Sequence, residues 1–272
     1  MKLTIVTGAS SNHFLPLQSL LWTISQFEPA ARVIAWDLGL TPDEHAFISN
    51  PPFSLANFEL RTFDFTKYPP HFNINVEAGR MAFRPTVVAQ IAHELLPLNP
   101  QRPAIVCWLD AGCQLREPLD AICSCIAKDG IYCPCAPGAI GACLHPSSRA
   151  PLGVTNDLIP KPIRDAGICC FDISKPEVIA LLDRWAAVAL DKNCSAPEGS
   201  TRRTHRQDAV FAVLLNQAMQ TNRWTLEGKR LRGLAIKQDN LTLAETQFRV
   251  GKLGPPTSRR PERFAKTPSG AR

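Results

Sequence analysis

The stretch Ile105-Val106-Cys107-Trp108-Leu109-Asp110-Ala111-Gly112 decides how this chain reads. An unbroken apolar run that ends in a carboxylate and a small-residue turn describes a strand buried on both faces. Its last side chain emerges at the C-terminal edge of the sheet, where ligands of open α/β folds gather. Asp110 is therefore the first candidate site residue, and Gly112 leaves space beside it for a bulky anion. An Asp that only caps a strand–turn junction produces the same local pattern.

Working outward, Leu3–Thr7 is a second apolar run that stops at Gly8, and Phe14, Leu17, Leu20, Leu21, Ile24 and Phe27 follow it at helical spacing. Arg32–Asp37 predicts the next strand. Thr41-Pro42-Asp43-Glu44 opens a short helix, with Thr as its cap and Pro in its first turn. Phe58–Phe65 alternates like a strand, and Pro85–Leu96 reads as a helix. Beyond Gly112 the pattern predicts a helix over Leu119–Lys128 and strands at Ile131–Cys133 and Ile168–Asp172. Helices over Pro176–Leu190 and Gln207–Met219 and a last strand at Leu231–Ile236 complete it. In the first of these helices Ile179, Leu182, Trp185, Ala186 and Ala189 share one face. The Pro- and Gly-rich excursion from Pro134 to Pro162 is too long for a connector and reads as a binding loop or lid. Strands alternating with helices give an α/β fold in one domain over residues 1–250. Its sheet is Rossmann-type, mixed but mostly parallel, with helices on both faces.

Composition narrows the function. The chain has 272 residues, 45% of them apolar and 20% charged, which suffices for one large core. The formal net charge of +6 invites a nucleic-acid reading. Most of that charge, however, sits in Lys252, Arg259, Arg260, Arg263, Lys266 and Arg272, opposed there only by Glu262. Residues 251–272 are rich in Pro, Ser and Gly and read as a flexible basic tail. The body is close to neutral and shows no basic face interleaved with aromatics, so no nucleic-acid partner is expected. The apolar start Leu3–Val6 is too short for a secretory leader, and no stretch approaches the roughly 20 residues of a membrane span. Ten cysteines form no C-x-x-C pair and have no His at zinc spacing, so they read as small buried hydrophobes. The expectation is a cytoplasmic chain without an integral membrane segment. A cysteine-held metal is the competing reading.

The opening Val6-Thr7-Gly8-Ala9-Ser10-Ser11 resembles the Gly-rich turn of short-chain dehydrogenases, but Asn12 and Phe14 stand where that turn needs glycine. The paired Tyr and Lys of that family are also missing. Tyr68 and Tyr132 are followed four residues later by Phe72 and Ala136.

A longer series of motifs resembles the GT-A nucleotide-sugar glycosyltransferases, in particular a little-characterised bacterial and animal group related to the family-8 enzymes. In order along the chain it runs Ser10-Ser11-Asn12-His13-Phe14, Ala35-Trp36-Asp37-Leu38-Gly39-Leu40 and Phe65-Thr66-Lys67-Tyr68-Pro69. Phe83-Arg84-Pro85 follows, where relatives carry Trp-Lys-Pro. Trp108-Leu109-Asp110-Ala111-Gly112, Asp165-Ala166-Gly167-Ile168 and His205-Arg206-Gln207-Asp208 close the series.

The resemblance implies a GT-A-like fold and roles for particular residues. Thr7, Ala9, Ser10 and Asn12 would line the nucleoside pocket. Arg84 would face the diphosphate, its guanidinium able to grip phosphate as a fork. Asp110 would be the first Asp of a D-x-D metal motif for Mn²⁺ or Mg²⁺. Gly112 stands at the second Asp, so one ligand is missing; a water or distant residue completes the coordination, or cations such as Arg84 neutralise the diphosphate instead. Asp165 and Gly167 would position donor sugar and acceptor, Asp208 would bind donor hydroxyls or assist the reaction, and His205 would contact the diphosphate. The implied activity is transfer of a sugar from a nucleoside-diphosphate donor, UDP-linked, to an acceptor hydroxyl on a glycan, lipid or protein, with retention of configuration. Gly112 and Ala209, both at altered family positions, keep open a second reading: an inactive relative that binds a nucleotide or glycan.

Overall fold

A computed structural model of the chain describes residues 2–75, 81–96, 103–231 and 233–251. The basic tail expected from the sequence lies outside the described residues. Strand β1 (Lys2–Ala9) leads into α1 (Phe14–Phe27), β2 (Arg32–Asp37), α2 (Pro42–Ser49) and β3 (Asn57–Thr62). Next come α3 (Phe83–Leu95), β4 (Ala104–Leu109), a short β5 (Gln114–Leu115), α4 (Asp120–Asp129) and β6 (Ile131–Tyr132). The excursion holds β7 (Cys135–Ala139), α5 (Ile140–Cys143) and β8 (Pro162–Arg164). The chain continues through β9 (Ile168–Asp172), α6 (Pro176–Leu190), α7 (Lys192–Ser195), α8 (Gln207–Asn222), β10 (Leu234–Ala235) and α9 (Leu243–Gly251).

Six strands form the central sheet in the order β3-β2-β1-β4-β9-β6. β1 pairs in parallel with β2 and β4, and β2 with β3, whereas β9 runs antiparallel to both β4 and β6. The mixed, mostly parallel sheet is as the sequence predicts. The chain leaves β1 toward β2 and β3 on one side and returns to β4 on the other. The C-terminal ends of β1 and β4 therefore flank a topological switch point, where an open sheet leaves a crevice.

Side-chain alternation fills two apolar layers. On β4, Val106 and Trp108 face the layer that contains α3, α6 and α8 residues, while Ile105, Cys107 and Leu109 face the layer of α1 and α4. Asp110 follows Trp108 at the strand spacing of two, which places it toward α3. Helix α2 begins with a capping box: Thr41 accepts from the Glu44 backbone N–H, and the Glu44 carboxylate accepts from the Thr41 N–H at 2.8 Å.

The structure adds to the sequence reading in three places. The excursion read as a binding loop or lid packs against the core. β7 pairs with β8, and Leu144, Leu152 and Leu158 are buried in the core, so apolar burial anchors this Pro- and Gly-rich stretch. On α6 the fully packed residues are Val178, Leu181, Leu182, Trp185 and Ala189, with Ile179 and Ala186 only partly covered. Helix α9 has no counterpart in the sequence reading. Only Thr246 and Val250 of its residues are buried, too few to set a recognisable period.

Phe211 of α8 is fully buried and packs 4.2 Å, ring centre to ring centre, from Trp185 of α6. Phe211→Ala should lower the unfolding free energy by about 3–5 kcal/mol through lost burial and the cavity left behind. A urea melt monitored by Trp fluorescence would measure it.

Candidate functional site

The site grows from the end of β4. The Asp110 backbone N–H donates to the Gly167 carbonyl at 2.9 Å, and its own carbonyl accepts from the Cys113 N–H at 2.8 Å. These bonds fix the turn and tie it to the loop before β9. The Asp110 carboxylate accepts from Trp108 Nε1 at 2.7 Å and from Arg84 Nη2 at 2.9 and 3.1 Å. Arg84 lies in the first turn of α3 with its side chain 4% exposed, whereas the Asp110 side chain is 36% exposed. Asp110 is thus held from within while part of it faces solvent. The Arg84 guanidinium also lies 5.7 Å over the Trp108 ring.

Two further carboxylates join through the 165–167 loop. Asp208, in the first turn of α8, accepts from the Ala166 backbone N–H at 3.1 Å and lies 3.4 Å from Arg206 Nη2. Asp165 accepts from the Gly167 N–H at 3.3 Å, and its other oxygen lies 3.2 Å from Arg230 Nη2. A Cβ at Gly167 would lie 2.6 Å from Asp110 Oδ2 and 3.1 Å from Asp165 Oδ1. Glycine is required there because the Asp110 carboxylate rests on its Cα. Asp110, Gly167, Asp165, Asp208 and Arg84 thus converge.

Burial works against the charge of Arg84, but the carboxylates of Asp110, Asp208 and Asp165 outweigh it and raise its pKa. Burial likewise raises the pKa of Asp208; Arg84 and Arg206 oppose the rise, and Asp165 and Asp110 add to it.

The other sequence candidates are placed as follows. Thr7 and Ala9 are buried at 0% and 2% exposure, and Thr7 Oγ1 has no hydrogen-bond partner among the described residues. Ser10 is half-buried and Asn12 exposed, so these two present the surface after β1. Ser10 Oγ donates to Asn12 Oδ1 at 2.7 Å. His205 is 2% exposed, and its Nδ1 accepts from the His145 N–H at 3.3 Å, which ties α8 to the excursion. Asp37, at the end of β2, accepts from the N–H groups of Gly39 and Leu40 and pairs with His45 at 2.7 Å, a turn-holding role.

Two residues escaped the sequence reading, Arg230 and Asp239. Both lie on the segment 226–242, which is bonded along the site edge. The Cys135 N–H donates to Gly228 O, Leu231 N–H to the Tyr132 hydroxyl, Arg116 N–H to Gly233 O and Gln238 N–H to Gly112 O, all within 2.8–2.9 Å. β10 in the same segment pairs with β5 just after Gly112. The signal available in the sequence was Gly112, the position where the resemblance sets a second Asp.

The donor chemistry suits a hard cation shared with a ligand. Asp110 Oδ1 takes two hydrogen bonds and Oδ2 one, so Oδ2 keeps lone-pair capacity. Among the described residues no group of three His, Cys, Asp or Glu side chains is placed to hold a metal ion. Mg²⁺-type ions are commonly held by one or two carboxylates with phosphate and water completing the shell. A cavity of about 540 Å³ at the opposite, N-terminal edge of the sheet is lined by Lys2, Thr4, Glu28, Arg32, Asn57 and Glu59 among others. Its Arg32 and Glu59 are paired with one another at 3.0 Å, and it lies far from the convergent carboxylates.

Comparison with known proteins adds the following. A family described as a protein of unknown function, DUF1647, matches residues 1–89. No curated protein matches the chain. Among solved structures, the apo structure of the bifunctional glycosyltransferase WbbM is similar with a TM-score of 0.49 and 12% identity over 78% of this chain. The chain spans 37% of that protein. The galactosyltransferase LgtC, in complex with donor and acceptor sugar analogs, is similar with a TM-score of 0.44 and 14% identity over 78% of this chain and 70% of its own.

Because the Asp208 pKa is raised in the fold, its contribution to stability is present below the unfolded value of about 3.9 and is lost as pH rises through the folded value. Asp208→Asn removes the ionised form. Its melting temperature should exceed that of the parent near neutral pH, and the gap should close as the pH falls below about 4. Thermal melts across that range would check the sign.

Proposed function

We propose that the chain transfers a glycosyl group from a nucleoside-diphosphate sugar, UDP-linked, to an acceptor hydroxyl. The observation that carries this reading is the half-exposed Asp110 carboxylate, gripped by buried Arg84 at the sheet's switch point, with two glycines and two further carboxylates around it. The ordered motif series quoted above supports it independently.

In the transfer, the bond between the anomeric carbon and the diphosphate oxygen breaks, and the acceptor oxygen bonds to that carbon and loses its proton. The products are the glycoside, the nucleoside diphosphate and a proton. Such a reaction needs stabilisation of the departing diphosphate more than a strong nucleophile. Arg84 supplies a fixed guanidinium where little water reaches it. A divalent cation bound with the donor would add Lewis-acid stabilisation of the leaving group, with Asp110 as one ligand. Asp165 and Asp208, which accept from the Gly167 and Ala166 N–H groups, would accept hydrogen bonds from donor-sugar hydroxyls. Burial raises the pKa of Asp208, so it holds a proton to higher pH than an ordinary Asp. Ser10 and Asn12 would face the nucleoside across the crevice. By resemblance to the family-8 enzymes, the product would keep the anomeric configuration of the donor.

The binding-module reading draws on Gly112 and on Ala209, which is fully buried in α8 and offers no polar group at its position. Donor turnover separates the two. In thermal melts, UDP and the matching UDP-sugar should raise the melting temperature, since a ligand at 100 times its Kd stabilises by about 2.7 kcal/mol. With the sugar donor that gives the shift, sugar release or transfer should be detectable, and Asp110→Ala should reduce it by about 100-fold or more. A chain that binds UDP yet never releases sugar from any UDP-sugar is a binding module. A chain with no shift from any nucleoside diphosphate overturns the nucleotide reading altogether.

A further inference from the structure

We propose that Asp239 supplies the carboxylate missing at position 112, so that Asp110 and Asp239 together offer oxygen ligands to a divalent cation that enters with the donor diphosphate. This deepens the nucleotide-sugar reading and rests on it.

The first observation is steric. A Cβ placed on Gly112 would lie 2.1 Å from Asp239 Oδ1 and 3.0 Å from its Cγ. The Asp239 carboxylate occupies the place where any side chain rooted at 112 would begin. A carboxylate at 112 and the carboxylate of Asp239 are therefore alternatives for one location, and this chain has the second. The placement is held by its neighbour, because the Gln238 N–H donates to Gly112 O at 2.9 Å. His13, from the turn after β1, approaches Asp239 with Nε2 at 3.8 Å, which brings the Ser10–His13 turn to the same edge.

The second observation concerns charge. The guanidiniums of Arg84, Arg206 and Arg230 are each engaged by one carboxylate, Asp110, Asp208 and Asp165 respectively. A diphosphate would bring at least two more negative charges to a cluster already matched, and Asp239 adds another. A divalent cation between them offsets that repulsion, and carboxylate oxygens are the ligands Mg²⁺ and Mn²⁺ prefer. The third observation points to the anion. Arg84 is 3% exposed, and its Nε is buried without a hydrogen-bond partner among the described residues. A buried donor left unpaired on the residue that holds Asp110 marks a cluster short of an acceptor.

The test uses the full chain, Mn²⁺ and UDP. UDP affinity is measured by calorimetry in Mn²⁺ and in EDTA, and bound Mn²⁺ is counted by electron paramagnetic resonance. The parent should bind UDP at least about tenfold more tightly in Mn²⁺ than in EDTA. Asp239→Asn alters a half-exposed side chain. It should melt like the parent and still bind UDP in EDTA, but lose that gain and most of the bound Mn²⁺. The paired exchange Gly112→Asp with Asp239→Gly returns the carboxylate to 112 and vacates its space, and should restore the gain. Equal UDP affinity in Mn²⁺ and EDTA for the parent, or an undiminished gain in Asp239→Asn, overturns the assignment while leaving the nucleotide reading standing. No UDP binding under either condition overturns both.

Discussion

The site depends on the ion pair between Arg84 and Asp110. Arg84 is nearly sealed from water, and a buried guanidinium without its carboxylate is expensive: losing one partner of such a pair typically costs about 3–5 kcal/mol. The pair also fixes geometry. It joins the first turn of α3 to the end of β4, and the backbone bond from Asp110 to Gly167 carries the connection on to the loop before β9. From that loop, backbone N–H groups reach Asp208 and Asp165. Three chain segments distant in sequence are aligned by one residue, whose carboxylate accepts from Arg84 and Trp108 and whose backbone N–H donates to Gly167.

Neighbouring carboxylates explain both glycines of the site. Gly167 lacks a side chain because Asp110 lies on it, and Gly112 lacks one because Asp239 lies there. Neither is needed for an unusual turn, since both have ordinary negative backbone torsions, unlike Gly39 or Gly130. Both glycines make room for carboxylates.

Much of the fold was legible because buried strands and amphipathic helices leave strong periodic marks. Arg32–Asp37 and Ile168–Asp172 were read to the residue, and the first helix and α6 lie where their apolar spacing puts them. The candidate site was legible at Asp110, where motif and strand end coincide, and through the family resemblance at Asp165 and Gly167. Arg230 and Asp239 were not. They sit on a segment whose regular structure is a two-residue strand, and their importance comes from partners more than 60 residues away in sequence. No local pattern encodes such a pairing. The packing of the excursion was hidden for a related reason: Pro and Gly mark turns but say nothing of whether Leu144, Leu152 and Leu158 between them find a core.

The sheet's middle carries a consequence of its own. Cys107 and Cys170 face one another across β4 and β9, and Cys169 lies 3.5 Å from Cys133, sulfur to sulfur. Burial pushes the thiols of Cys107, Cys169 and Cys170 above their usual range, so they remain in the unreactive protonated form while the strands stay closed. Modification by an alkylating reagent then becomes a clock for separation of β4 from β9, and it ticks at the seam that carries Asp110.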